Sequence, residues 1–304
     1  MKFGLVVPTL NACEEWQAWL DAFDSQTIKP DRMLVIDSGS SDNTVALAKS
    51  YGFDVEVIEK SDFDHGGTRQ RGVDSFHDID VCVFLTQDAI FSDCDSLNNI
   101  LQPFHDDSVA AVCGRQLPRK QAAPIEVHAR LYNYSPEPFS RSIKDAKQFG
   151  LKTVFLSNSF AAYRVSALRE VGGFPENVIF GEDMYVAAKF LLAGYKIAYA
   201  AGACVYHSHD YSLIQEMKRY FDMGVFHARE PWIRQQFGKA EREGLKFVIS
   251  EIKYLSRHAF WRIPESMLRT ILRYIGFRLG LAERNISLKI KRKISMNPGY
   301  YKMG

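Results

Sequence analysis

Four times in the first ninety residues, a short apolar run rich in β-branched side chains ends in a cluster of polar ones. The runs are "FGLVVPTLN", "RMLVIDSGSSDN", "FDVEVIEK" leading into "SDFDHGGTRQRG", and "DVCVFLTQDA". Helical patterns separate them. In "NACEEWQAWLDAFDSQ", Trp16, Trp19, Leu20 and Phe23 recur at the spacing of one helix face. "NTVALAKSYG" and "TRQRGVDSFHD" read as the next two helices. Strands alternating with helices through short loops predict a parallel sheet covered on both faces. Such sheets bind ligands beyond the carboxyl ends of their strands. Thr9 and Asn11, residues 37–41, residues 64–69, and Gln87 with Asp88 are therefore expected along one edge.

The rest of the chain extends this pattern and then leaves it. "VAAVCGRQLP" reads as a further strand, and residues 118–150 as a long polar, aromatic loop with helical pieces. "FLSNSFAAYRVSALREVGGFPE" gives a strand, a helix and a Gly-Gly stop. "GEDMYVAAKFLLAGYKIAYAAGACVYHSHD" gives a helix and then a strand ending at two histidines. Everything after residue 212 reads as helical. We divide the chain into an α/β unit over 1–230 and a helical extension over 231–304.

Charge is distributed unevenly along this plan. The 304 residues carry a net charge of only +2, yet thirteen Lys/Arg against three Glu follow from Lys246 onward. The tail also carries apolar stripes, as in "LRTILRYIGFRLGL". A basic, amphipathic tail predicts contact with an anionic membrane surface, or else a solvated face packed on the domain or an oligomer contact. No nucleic-acid module accompanies it, so nucleic acid is not expected as a partner. Five scattered cysteines without a CxxC pair predict free thiols in a reducing compartment. The N-terminus lacks a secretory pattern, and no run reaches the length of a spanning helix, so a cytoplasmic protein is expected, peripheral on the inner membrane face at most.

Four constellations and one basic turn carry chemistry. Asp37 at a strand end can accept from a ribose or base edge, with Ser38 and Gly39 offering backbone donors; the alternative is a well-capped turn. Asp88 can hold a divalent cation that bridges phosphates, or cap the following segment. Glu182 and Asp183 open a helix, where the dipole favours carboxylates, and either can serve as a general base. His207 and His209 alternate at a strand end and share one face, which suits a metal or a phosphate. In "DHGGTRQRG", Gly66 and Gly67 permit close backbone approach, Thr68 can cap a helix, Arg69 offers a fork for a diphosphate, and His65 lies beside it.

In order and spacing, "VVPTLNACEEW", "VIDSGSSDNT", "DHGGTRQRG", "LTQDA", "GGFPENVIFGEDMYVAAKFLLAGYKI" and "VYHSHDYS" resemble family-2-type glycosyltransferases of the GT-A fold. The "HGGTR" and "LTQDA" pair is most similar to bacterial rhamnosyltransferases that build O-antigen and other surface polysaccharides. The resemblance covers roughly residues 1–230. It implies a mostly parallel α/β sheet and a donor pocket lined by Pro8, Thr9, Asn11, Asp37, Ser38 and Gly39, with the residues at 65–69 and Gln87 nearby. It implies Mg2+ or Mn2+ held by Asp88, where Gln87-Asp88-Ala89 keeps one carboxylate of the family's DxD motif, with His207 or His209 completing the site. Asp183, with Glu182 as the alternative, would be the base of a single inverting displacement. The donor would be dTDP-L-rhamnose or a UDP-sugar, and the acceptor a growing, lipid-linked glycan. A non-catalytic nucleotide-sugar-binding scaffold is the alternative class.

Overall fold

The computed structural model describes residues 1–238 and 241–301. The first half follows the alternation: β1 (Phe3–Thr9), α1 (Cys13–Asp24), β2 (Arg32–Asp37), α2 (Thr44–Ser50), β3 (Asp54–Val57), α3 (His65–Asp74) and β4 (Val81–Leu85). These four strands pair in parallel in the order β3-β2-β1-β4. The register places Thr9 opposite Asp37, and Asp37 opposite Val57, so the polar ends do line one edge.

Then come β5 (Ile90–Phe91), α4 (Ser96–Leu101), β6 (Val109–Leu117), α5 (Pro124–Asn133), β7 (Phe139–Arg141), α6 (Ala146–Phe149), β8 (Phe160–Arg164), α7 (Val165–Glu170), α8 (Glu182–Leu192) and β9 (Lys196–Tyr206). Here the sheet departs from an all-parallel reading. β8 lies antiparallel between β4 and β6, and β6 runs parallel to β9. Six strands thus run one way, while β5, β7 and β8 oppose them. The sheet remains mostly parallel, but its second half enters through antiparallel pairings. The region expected as a long loop contains α5, the three-residue β7 and α6.

Two apolar layers flank the sheet, as its alternating side chains require. One holds α1 and α4 against the strands, with Trp16 and Trp19 fully buried and stacked at 4.7 Å. The other holds α3, α7 and α8, and it also includes Val225, Phe226, Ile233, Phe237 and Tyr301. The C-terminal helices are α9 (Leu213–Arg229), α10 (Pro231–Phe237), α11 (Glu241–His258), α12 (Ile263–Leu281) and α13 (Leu288–Ile294). α9 and α10 place side chains in this core and Ile294 of α13 packs against it, while α12 packs along α9 and α11 on α5 and α12. Each fully buried side chain of Leu or Phe size contributes about 1.5–3 kcal/mol.

Candidate active site

Asp88 follows β4, and His207 and His209 follow β9. Asp88 Oδ2 lies 3.5 Å from Nε2 of each histidine, and the imidazole rings meet edge-on with centroids 4.6 Å apart. Among the described residues, these three are the only such group of potential metal ligands, their donor atoms all within 4.8 Å of one another. Gln116 of β6, 2% exposed, places its Oε1 2.9 Å from His207 Nδ1. An amide oxygen only accepts, so His207 Nδ1 carries the proton and its Nε2 presents a lone pair toward Asp88. Two electron-pair donors thus face each other without a proton between them, an arrangement that fits a cation.

The charges agree with that fit. Burial alone would raise the Asp88 pKa, but in acid, where the imidazoles are protonated, the hydrogen bond from His207 and the charges of His207 and His209 hold the carboxyl well below its ordinary range. Burial lowers both imidazoles, His209 to about 4, so at neutral pH both are in the uncharged form that ligates metals. Arg119 ties the two loops together. Its Nη2 donates to the Asp88 carbonyl at 2.6 Å, its backbone N–H donates to Ser208 Oγ at 3.3 Å, and its guanidinium pairs with Glu15. Arg219 of α9 lies over the Phe180 and Tyr211 rings, and Tyr211 stacks on His209. Arg219 forms no ion pair among the described residues, so its charge is available at this edge.

Glu182 and Asp183 open α8 and are held unequally. Glu182 Oε1 pairs with Arg69 Nη1 at 3.1 Å and accepts from Asn158 Nδ2 at 2.9 Å, both charged side chains being under a tenth exposed. Burial pushes Glu182 up, but Arg69 and His65 outweigh it and its pKa falls. Asp183 accepts only backbone donors, Met184 N–H at 2.7 Å and Asn158 N–H at 3.3 Å. Burial, and then the Glu182 charge, push it up to about 7. Paired carboxyls driven apart in this way mark an acid–base assignment. The Asp88–His207–His209 cluster is linked to this pair: Gln116 Nε2 donates to Ser157 Oγ at 2.9 Å, and Asn158 is the next residue.

The "DHGGTRQRG" stretch is engaged by partners within the protein. It is no turn: α3 begins at His65, three residues before the expected start. The cap is Asp64, which accepts from the Gly66 and Gly67 amides, while Thr68 Oγ1 accepts from Asp64 N–H. The helix N-terminus is therefore filled by the protein's own anion. A Cβ on Gly66 would run into the Pro175 carbonyl oxygen, so the glycine admits a neighbouring loop. Arg69, 5% exposed, serves Glu182, and its Nη1 also donates to the His65 carbonyl at 2.8 Å. His65 meets Phe63 edge-on. These residues brace the acid pair.

The first two strand ends form a closed network. Asp37 accepts from Thr9 Oγ1 at 2.8 Å, Gly39 N–H at 3.1 Å, Ser40 N–H at 2.7 Å and Ser40 Oγ at 2.5 Å, which occupies both carboxylate oxygens. Ser38 N–H donates to the Thr9 carbonyl, and Pro8 lies opposite Ile36. Asn11, at φ 48°, accepts from Ser41 N–H at 2.9 Å. Gln87 uses both ends of its amide on the Leu10 backbone. Asp37 and Gln87 thus tie the ends of β1, β2 and β4 together with their own bonds. Gln116, Asn158, Arg119 and Arg219 escaped the sequence reading because isolated polar residues carry no spacing signal.

Comparison with known proteins agrees with this arrangement. The glycosyl transferase family 2 profile matches residues 5–172. The chain is 49% identical over 302 residues to the O-antigen chain rhamnosyltransferase RfbN of Salmonella typhimurium, covering 99% of this chain and 96% of that one. It is 48% identical over 301 residues to the O-antigen chain rhamnosyltransferase WbaN of Salmonella anatum, with the same coverage. Among solved structures, the mannosyltransferase PcManGT of Pyrobaculum calidifontis, in complex with GDP-Man and Mn2+, superposes with a TM-score of 0.59 at 18% identity, over 99% of this chain and 84% of that one. S. aureus TarS 1-349 with UDP-GlcNAc gives 0.54 at 14% identity, over 94% and 92%. A mostly parallel sheet with its acidic and imidazole side chains gathered at one edge, matched along nearly its whole length by such relatives, belongs to glycosyl transferase family 2.

Proposed function

We propose that the protein transfers L-rhamnose from dTDP-L-rhamnose onto a hydroxyl of a growing, lipid-linked O-antigen-type glycan, with inversion at the anomeric carbon. The observation that carries the reaction type is the split acid pair, Asp183 raised and Glu182 lowered, linked through Asn158, Ser157 and Gln116 to the Asp88–His207–His209 cluster. The two Salmonella relatives, both named O-antigen chain rhamnosyltransferases, support the sugar. In this reading residues 1–230 form the catalytic unit, acting on the cytoplasmic side of the membrane.

Asp183 accepts the proton of the acceptor hydroxyl as that oxygen bonds to the anomeric carbon. The bond to the diphosphate oxygen breaks in the same displacement, and nucleoside diphosphate leaves. Glu182, held by Arg69 and Asn158, keeps Asp183 basic without competing for the proton. Arg219 supplies positive charge for the leaving diphosphate, while Arg119, paired with Glu15, fixes the Asp88 loop. Asp88, His207 and His209 would hold Mg2+ or Mn2+, which when bound supplies Lewis-acid stabilisation of the diphosphate. Thr9, Asn11, Ser38 and Gly39 form the wall for the nucleotide, with Asp37 and Gln87 fixing its shape.

Thermal shift tests the donor. A ligand at one hundred times its Kd stabilises the native state by ~2.7 kcal/mol, roughly 5 °C for a chain of this size. The expected result is that shift with dTDP-L-rhamnose plus Mn2+, and a much smaller one with UDP-glucose or UDP-GlcNAc. A larger shift with a UDP-sugar would overturn the rhamnose assignment.

Gln116→Leu tests the cluster. Without the amide oxygen, His207 loses the bond that fixes its tautomer and ring. Partners of this kind are worth about 10–100-fold in metal affinity. Mn2+ titration by calorimetry should show that loss with the melting temperature nearly unchanged; wild-type affinity would remove the metal role from His207.

A further inference from the structure

The two faces of α12 differ sharply. On one, Gly276 and Gly280 bring the helix against α9 so closely that a Cβ on either would meet the Met217 or Phe221 carbonyl oxygen. The same face places Arg269 and Arg273 on Glu216 of α9, and Ser266 on Glu251 of α11. At 100° per residue these five positions cluster about one side. Leu268, Ile271, Tyr274 and Ile275 cluster about the opposite side, where each is 41–60% exposed. At the N-terminal end of this stripe the Phe260–Trp261 pair stands out at 69% and 64% exposure. Solvent-facing apolar residues in a continuous stripe mark a docking surface.

The charges of the C-terminal helices select its occupant. All three carboxylates after residue 245 are engaged internally: Glu251 with Ser266, Glu265 with Arg262 and Arg269, and Glu283 with Arg229 and Lys291. Lys253, Arg257, Arg278, Arg284, Lys289, Arg292 and Lys293 are exposed and form no ion pair among the described residues. A second copy of the chain would bring two such positive fields together, which opposes self-association. An anionic bilayer complements both features, since Trp, Phe and Tyr favour the interfacial zone and Lys/Arg meet lipid phosphates. No described helix is long and apolar enough to cross a membrane.

We propose that the outer face of α12, with the Phe260–Trp261 corner, docks the protein on an anionic lipid surface without crossing it. The aromatic corner enters the headgroup region, the stripe lies in the interfacial plane, and the exposed cations of the C-terminal helices meet lipid phosphates. The surface is carried by α12, which packs closely along α9, a helix whose other side chains enter the domain's core, so docking fixes the orientation of the transfer site relative to the bilayer.

Vesicle flotation of the full chain tests this. The expected result is flotation with phosphatidylcholine vesicles containing about a quarter phosphatidylglycerol, none with phosphatidylcholine alone, and weaker flotation in high salt. Trp261→Ser with Ile271→Glu should lower the partition at least tenfold, while circular dichroism and the donor-induced thermal shift stay at wild-type values. A second variant, Lys289→Gln with Arg292→Gln and Lys293→Gln, changes only exposed cations and should also lower it. Wild-type protein that remains unfloated with anionic vesicles would overturn the proposal, as would undiminished flotation of both variants. A wild-type dimer by light scattering that Ile271→Glu dissociates would assign the face to a second copy instead.

Discussion

Asp183→Asn is expected to lower transfer by about 10²–10⁴-fold, the usual contribution of a positioned general base, while donor-induced thermal stabilisation survives. The side chain keeps its shape, and the bonds that hold Glu182 to Arg69 and Asn158 are untouched. The change removes the proton acceptor and one of the two backbone hydrogen bonds that the carboxylate accepts, from Met184 and Asn158. In the wild type, Asp183 titrates near 7 because burial, and then the Glu182 charge, disfavour its ionised form. A base works deprotonated, so kcat/KM should fall about tenfold per pH unit below 7 and level off above it. Glu182→Gln removes the neighbouring negative charge, so the Asp183 limb should move to lower pH. The same change leaves Arg69 buried without its counter-charge, and breaking a buried pair costs about 3–5 kcal/mol, so a lower melting temperature should accompany the shifted profile. An Asp183→Asn enzyme that retains most of its turnover, or a limb that ignores Glu182→Gln, would move the base elsewhere.

The sequence showed the first four strands and their helices clearly because local pattern decides them. Each strand is a short buried run and each helix a periodic one, and the parallel order follows from short crossovers. Strand direction beyond β4 was hidden. "FAAYR" is as apolar as any parallel strand, and its antiparallel placement depends on how the chain returns through 118–159. The three residues of β7 are too few for any periodicity, and its pairing partner Tyr199 lies far along the chain.

The site divides in the same way. Asp88, the two histidines and the Glu182-Asp183 pair were legible because their residue types announce chemistry at element ends. The glycines of "HGGTR" misled because local reading treats glycine as freedom or ligand approach. The deciding neighbour is Pro175, reached only once α3 packs beside the loop before α8. Arg69 misled for a related reason. A cation near expected phosphates looks like a ligand, and the carboxylate that claims it sits on another helix. Gln116 shows the limit best. Nothing about a glutamine in "CGRQLP" marks it, and its value comes from β6 and β9 ending side by side at Leu117 and Tyr206.

Substituting Asp88 should have the other large effect. Asp88→Asn removes the cluster's one carboxylate and leaves two neutral imidazoles, so Mn2+ affinity should collapse and transfer fall by about 10²–10³-fold or more, the cost of losing preorganised stabilisation of the leaving group. His209→Ala removes one neutral ligand and leaves Asp88 with the Gln116-oriented His207. Its deficit should therefore be smaller and recover at high Mn2+, whereas that of Asp88→Asn should not. EDTA should stop wild-type transfer, and Mn2+ should restore it. Calorimetric Mn2+ titration of each variant separates metal loss from damage to the fold, because the melting temperature without metal should change little. A ligand that binds only the native state raises its apparent stability, so Mn2+ alone should raise the wild-type melting temperature and leave that of Asp88→Asn in place. Full wild-type activity in EDTA would overturn the metal assignment and return the cluster to a hydrogen-bonded role.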